Sequence, residues 1–217
     1  GVQDASAIIR FIREYAEEYR IDPNKIFIWG SSAGAFIGLH LSACDDTERP
    51  ESSYGGSSDP DLGCIDCEGN DYIHSSKPNA LVSCWGAIGD LEWIDPEDSM
   101  PMILFHGTLD LIVPFDEGFP FTLNIALPIV SGSNQIHEHL DSHEIYHEFY
   151  PAENEPHEYW GTLNGTWIGG PTEHWDSILE NSYQFLYNQI SDDLIGDLNQ
   201  DGYVNVLDVI DCVNVVL

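Results

Sequence analysis

The chain has 217 residues, enough for one domain with a real core and a small appendage. Hydrophobic residues make up 42%, with 6 Trp, 10 Tyr and 9 Phe, which excludes a disordered acidic polymer. Only 6 Lys and Arg oppose 38 Asp and Glu, giving a formal net charge of -32 that repels nucleic acid and anionic membranes. No stretch reaches the length of a membrane span.

The first predicted element is a helix. Ala5, Ile8, Ile9, Ile12, Tyr15, Ala16 and Tyr19 recur at three- and four-residue spacing and mark one apolar face. The chain opens without Met and directly in this periodicity, so it reads as continuing from upstream sequence. "IDPN" at 21–24 breaks the helix, because Pro23 and its neighbours favour a turn. "KIFIW" at 25–29 then reads as a strand buried on both faces. "GSSAG" at 30–34 follows as a tight turn, and "AFIGLHLSA" returns to helical spacing.

Residues 45–79 are rich in Asp, Ser, Gly and Pro and read as a long excursion. Within it, "CIDC" at 64–67 has no second such pair to complete a zinc site, and reads as a local disulfide in an oxidised compartment. "ALVSCWGAI" at 80–88 and "MILFHG" at 102–107 are two further buried strands. A helix around 131–141 precedes "HEIYHEFY" at 143–150, a fourth strand with His143 and His147 on one face at its margin. An amphipathic helix at 174–190 closes the unit. Alternating helices and strands imply an α/β fold: a mostly parallel sheet with helices on both faces.

A nucleophilic serine needs exposure at a strand end, a base within reach and donors for an oxyanion. Ser32, centred in its glycine frame between strand and helix, meets the first condition; Ser31 is the competing serine. Gly30 and Gly34 are expected to leave room for close packing, and the Ala33 amide to point where one oxyanion donor belongs.

With that context the chain resembles the C-terminal part of an α/β-hydrolase of the carboxylesterase and lipase type, over roughly residues 1–190. The resemblance implies an acid and then a histidine downstream of the nucleophile. "ILFHGTLDLIVPF" at 103–115 is similar to the acid loop and puts the carboxylate on Asp110, ahead of Asp116. "YPAENEPHEYWG" at 150–161 resembles the final loop and puts the base on His157, with His174 as its main rival. His40 reads as a packed side chain and His106 as a residue that positions backbone. The second oxyanion donor and the first strands of the sheet are expected upstream of residue 1. The implied chemistry is acyl transfer without a cofactor. "FPFTLNIALPIV" at 119–130 fits either a pocket lining or core.

The texture changes at 191, with 191–195 as a linker. Asp197, Asn199, Asp201, Tyr203, Asn205 and Asp208 occupy positions 1, 3, 5, 7, 9 and 12 of a Ca2+ loop, with Gly202 at the turn. Residues 196–217 resemble one repeat of a dockerin, which implies Ca2+ binding and a cohesin-like partner. The whole reads as a secreted serine hydrolase of carboxylic esters, acting on a small ester or an acylated polysaccharide. A peptidase of the same fold, or a non-catalytic module assembled through the Ca2+ tail, are the alternatives.

Overall fold

A computed structural model of the chain describes residues 1–57, 59–97, 100–122, 125–162 and 170–190. The Ca2+-loop positions Asp197, Asn199, Asp201, Tyr203, Asn205 and Asp208 lie outside them, as does the 191–195 linker.

The chain begins with α1 (Val2–Glu14) and the short α2 (Ala16–Tyr19), followed by β1 (Phe27–Ser31) and α3 (Ala33–Ala43). After the excursion come β2 (Ala80–Cys84), β3 (Ala87–Ile88) and β4 (Met102–Gly107). Then follow β5 (Glu117–Gly118), β6 (Val130–Gly132), α4 (Ser133–Ser142), β7 (His147–Ala152) and α5 (His174–Ile190). A 4-stranded parallel sheet runs β1-β2-β4-β7, and a 3-stranded antiparallel sheet runs β3-β6-β5.

Side-chain alternation along β2 and β4 builds a core on each side of the parallel sheet. Leu81, Met102 and Leu104 join Leu39 of α3 and Ile136 and Leu140 of α4. On the opposite face Val82, Cys84, Ile103 and Phe105 pack with Ile178 and Phe185 of α5. The sheet is therefore covered on both faces, as the alternation of elements implied.

Local expectations need correction. Of the apolar face assigned to the first helix, Ile9 and Ala16 are buried, whereas Ile8 is 58% exposed. The buried stripe runs through Ser6, Ile9 and Arg10, and Ile8 falls on its flank. The first strand starts two residues later than expected and includes Gly30 and Ser31, because its pairing with β2 extends to Ser31 opposite Cys84. Nor is it buried on both faces: β1 is the edge of the described sheet, and Trp29 is 41% exposed. The run 80–88 is not one strand. Trp85 adopts a left-handed φ of 45°, and the chain crosses there from the parallel sheet to the antiparallel one. His143 caps the end of α4 and His147 opens β7, so they do not share a strand face.

The excursion is tied down by cations that reach backbone carbonyls. Arg10, buried in α1, donates to the carbonyls of Glu68 (2.6 Å), Asn70 (2.9 Å) and Tyr72 (3.2 Å). Lys77 donates to those of Ser42 (3.0 Å) and Cys44 (2.8 Å) at the end of α3. Cys64 and Cys67 form a disulfide, while Cys44 and Cys84 are free and buried.

Candidate active site

Ser32 sits where β1 passes into α3, with φ 53° and ψ -116°. A non-glycine residue there carries strain on the order of 1–3 kcal/mol, which persists only when its surroundings fix it. Two features do so. The Ser32 amide donates to the Cys84 carbonyl at 3.0 Å, and α3 folds back tightly over Gly30. A Cβ on Gly30 would lie 2.4 Å from the Gly34 backbone, so only glycine fits. Gly34 itself faces open space and carries no such constraint, contrary to its expected packing role. Ala33 opens α3, and its amide is one of the donors a helix start leaves without an intrahelical partner.

Asp110 is placed by the loop after β4. Its Oδ1 accepts from the amides of Ile112 (2.8 Å) and Val113 (2.9 Å), and its Oδ2 accepts from His157 Nδ1 at 2.6 Å. His106 Nε2 lies 3.2 Å from the same Oδ2 and 3.2 Å from the Val113 carbonyl. Both are acceptors, so Nε2 carries the proton and Nδ1 accepts from the Ser133 hydroxyl at 2.8 Å. Burial works against the charged carboxylate, but the hydrogen bonds from His106 and His157 outweigh it and hold Asp110 at about 2.

His157 lies buried in the loop after β7, and its Nε2 is 2.9 Å from Ser32 Oγ. That loop is stitched to the acid loop. Thr108 and Leu109 donate to the carbonyls of Ala152 (2.9 Å) and Glu155 (3.0 Å), and the Asn154 amide donates to Thr108 Oγ1 at 2.8 Å. A Cβ on Gly107 would come 2.3 Å from the Glu155 carbonyl oxygen, so glycine permits the approach. Trp85 walls the histidine edge-on, with ring centroids 6.3 Å apart, and its indole N–H donates to Ser31 Oγ at 2.9 Å.

Ser32, His157 and Asp110 are thus brought together in one hydrogen-bonded line. The rivals are elsewhere. His174 faces Glu155 at 3.3 Å, and Asp116 accepts from Asn134 at 2.7 Å. Ser31 is held by Trp85, and His40 is packed between Phe36 and Trp93. Phe119 joins Leu111, Pro114, Gly118 and Thr122 in lining a cleft of about 230 Å³ beside Asp110. His106 was expected to position backbone, and its contact with the Val113 carbonyl agrees, but its contact with Asp110 was not foreseen, nor was the place of Trp85 in the site. A histidine four residues ahead of an aspartate on a buried strand was the available signal for His106. Among the described residues, two groups have metal-ligand chemistry: Cys64, Cys67 and Glu68, whose thiols are spent in the disulfide, and His137, Asp141 and His147.

A parallel sheet bearing a strained serine turn, with an acid and a histidine on later loops, decides the fold. It is that of an α/β-hydrolase. The α/β-hydrolase fold is shared with the butyrate-bound esterase Est2 of the planctomycete Thermogutta terrifontis, at TM-score 0.56 and 23% identity. That match covers 86% of this chain and 64% of Est2, so the chain spans less than two thirds of that esterase's length. Esterase 2 of the same organism, phosphorylated by paraoxon, matches at TM-score 0.56 and 22% identity, covering 86% of this chain and 62% of that one. A truncated carbohydrate esterase from gut microbiota matches at TM-score 0.57 and 18% identity, over 87% of this chain and 67% of that one. The family model described as BD-FAE matches residues 1–86. No curated protein matches the sequence.

Proposed function

We propose that the chain carries the nucleophile, base and acid of a serine hydrolase of carboxylic esters. The observation that carries this reading is the continuous line from Ser32 Oγ to His157 Nε2 (2.9 Å) and from His157 Nδ1 to Asp110 Oδ2 (2.6 Å). His157 takes the Ser32 proton as the oxygen attacks the ester carbonyl, and Asp110 holds the imidazolium that forms. The amide of Ala33 donates to the developing oxyanion. His157 then returns the proton to the leaving alcohol, and water hydrolyses the acyl-enzyme by the same route. No cofactor enters these steps.

The finer parts of the reading are proposals of the same kind. An acylated polysaccharide is the favoured substrate class, in keeping with the fold shared with a carbohydrate esterase. We assign Ca2+ to the oxygen-rich loop of residues 197–208 and a cohesin-like protein as its partner. Secretion fits the acidic surface and the Cys64–Cys67 disulfide.

The test is hydrolysis of p-nitrophenyl esters by the full-length gene product and its Ser32→Ala variant. The expected loss in kcat is roughly 10⁴-fold or more, and paraoxon should add its phosphoryl group to Ser32, read by mass spectrometry. Equal rates in the two proteins would overturn the assignment.

A further inference from the structure

At the far end of the parallel sheet from Ser32, three side chains converge that the hydrolytic reading does not use. His137 and Asp141 stand four residues apart on one face of α4, and His147 opens β7. His147 pairs with Met102, the first residue of β4, whereas Asp110 lies beyond Gly107, the last. The two sites are therefore separate.

We propose that His137, Asp141 and His147 bind a divalent transition-metal ion of borderline softness, with Zn2+ the best match. His137 Nδ1 is 2.7 Å from His147 Nε2. The Asp141 carboxylate faces both rings, 3.7 Å from His147 Nε2 through Oδ1 and 3.7 Å from His137 Nε2 through Oδ2. Zinc bonds of about 2.0–2.1 Å in tetrahedral geometry put neighbouring ligand atoms about 3.3 Å apart. The 2.7 Å between His137 Nδ1 and His147 Nε2 and the 3.7 Å between His147 Nε2 and Asp141 Oδ1 bracket that value, and one ligand atom from each of the three residues lies within 4.8 Å of the others. At 3.7 Å the carboxylate is beyond hydrogen-bond reach of either imidazole. His137 Nδ1 and His147 Nε2 share a hydrogen bond, which a cation between the three groups replaces while also engaging the carboxylate.

A second observation concerns the tautomer. His147 Nδ1 donates to the Ile145 carbonyl at 2.8 Å, which leaves the Nε2 lone pair aimed at His137 and Asp141. A ring N–H anchored on a backbone carbonyl is how metal-ligating histidines are commonly oriented. His137 is held by stacking on Phe149, with centroids 4.6 Å apart. To ligate through Nδ1, His137 moves its proton to Nε2, which faces the Asp141 carboxylate, so the neutral ring binds without net proton loss. Side-chain exposure falls from 66% at Asp141 to 30% at His137 and 6% at His147, which leaves an entry path from solvent. Imidazole nitrogens with a single carboxylate suit Zn2+, Ni2+ or Cu2+ rather than Ca2+ or Mg2+. The three protein ligands leave one position to water, and the ion fastens the last turns of α4 to the strand that leads toward His157.

The test is calorimetric titration of Zn2+ into the metal-stripped full chain, with excess Mg2+ present to occupy scattered carboxylates. One Zn2+ per chain should bind at this site and raise the Tm. His137→Gln and His147→Gln should each weaken that binding by at least about tenfold and abolish the Tm rise. His137 is partly exposed, so its variant decides the matter if His147→Gln fails to fold by circular dichroism. Wild-type Zn2+ affinity in folded His137→Gln, or loss of Zn2+ binding to competing Mg2+, would overturn the site.

Discussion

Asp110 is anchored by more partners than its neighbours in the line. Two amides fix one of its oxygens, two imidazoles share the other, and it stays ionised down to about pH 2. Because its folded value lies below the ordinary 3.8, the charged carboxylate stabilises the fold above that value, and the contribution fades as pH falls toward 2. Asp110→Asn should therefore be less stable than wild type at neutral pH, with the difference shrinking between about pH 4 and pH 2 in denaturant titrations. Its kcat on an ester should fall about 10⁴-fold with KM little changed, because the amide favours the wrong tautomer of His157. A gap in stability that persists unchanged at the acid end would contradict this account. Asp110 could be singled out beforehand because it follows a buried apolar strand where parallel sheets gather reactive groups, Ser32 because its glycine frame stands between strand and helix, and His157 through the resemblance of its loop. Trp85 could not. It sits inside an unbroken apolar stretch, and nothing local announces that its backbone turns left-handed; the turn is set by tertiary contacts with Phe105 and Ser31.

At the scale of elements, the strand–turn–helix unit around Ser32 depends on one of its two glycines. Gly30→Ala drives a methyl into the Gly34 backbone and should cost about 1–3 kcal/mol in unfolding free energy, with activity falling alongside. Gly34→Ala meets nothing within 4 Å and should be neutral or stabilising by up to about 1 kcal/mol, since alanine is the better helix former. Comparing the two in thermal melts tests whether the five-residue frame or the backbone approach is what matters. Equal effects would refute the distinction. The elements themselves were legible wherever periodicity was long: α5 and β4 fall where the pattern placed them. The boundaries of β1 and β7 were not, because pairing register, rather than hydrophobicity, decides where an edge strand begins and ends.

On the scale of the whole molecule, a net charge of -32 leaves few cations, and these are used internally. Arg10, Arg13, Lys25, Arg49 and Lys77 each donate to backbone carbonyls, and Arg49 also pairs with the Asp61 carboxylate. Self-repulsion among the remaining acids is long-ranged and weakens as the Debye length shrinks from about 10 Å at 0.1 M salt to about 3 Å at 1 M. The Tm should accordingly rise with NaCl over that range; a flat or falling Tm would show that the charges are already compensated.

The stitching of the loops after β4 and β7 has a consequence for anyone recombining this scaffold. Thr108 and Leu109 read the shape of the segment 152–155 through their amides and the Thr108 hydroxyl, and only glycine at 107 permits that segment's approach. Asp110 and His157 are thus inherited as a single cassette. A chimera that swaps one half while keeping the other would inherit both residues yet lose their alignment, whereas transplanting the pair together would carry the geometry intact.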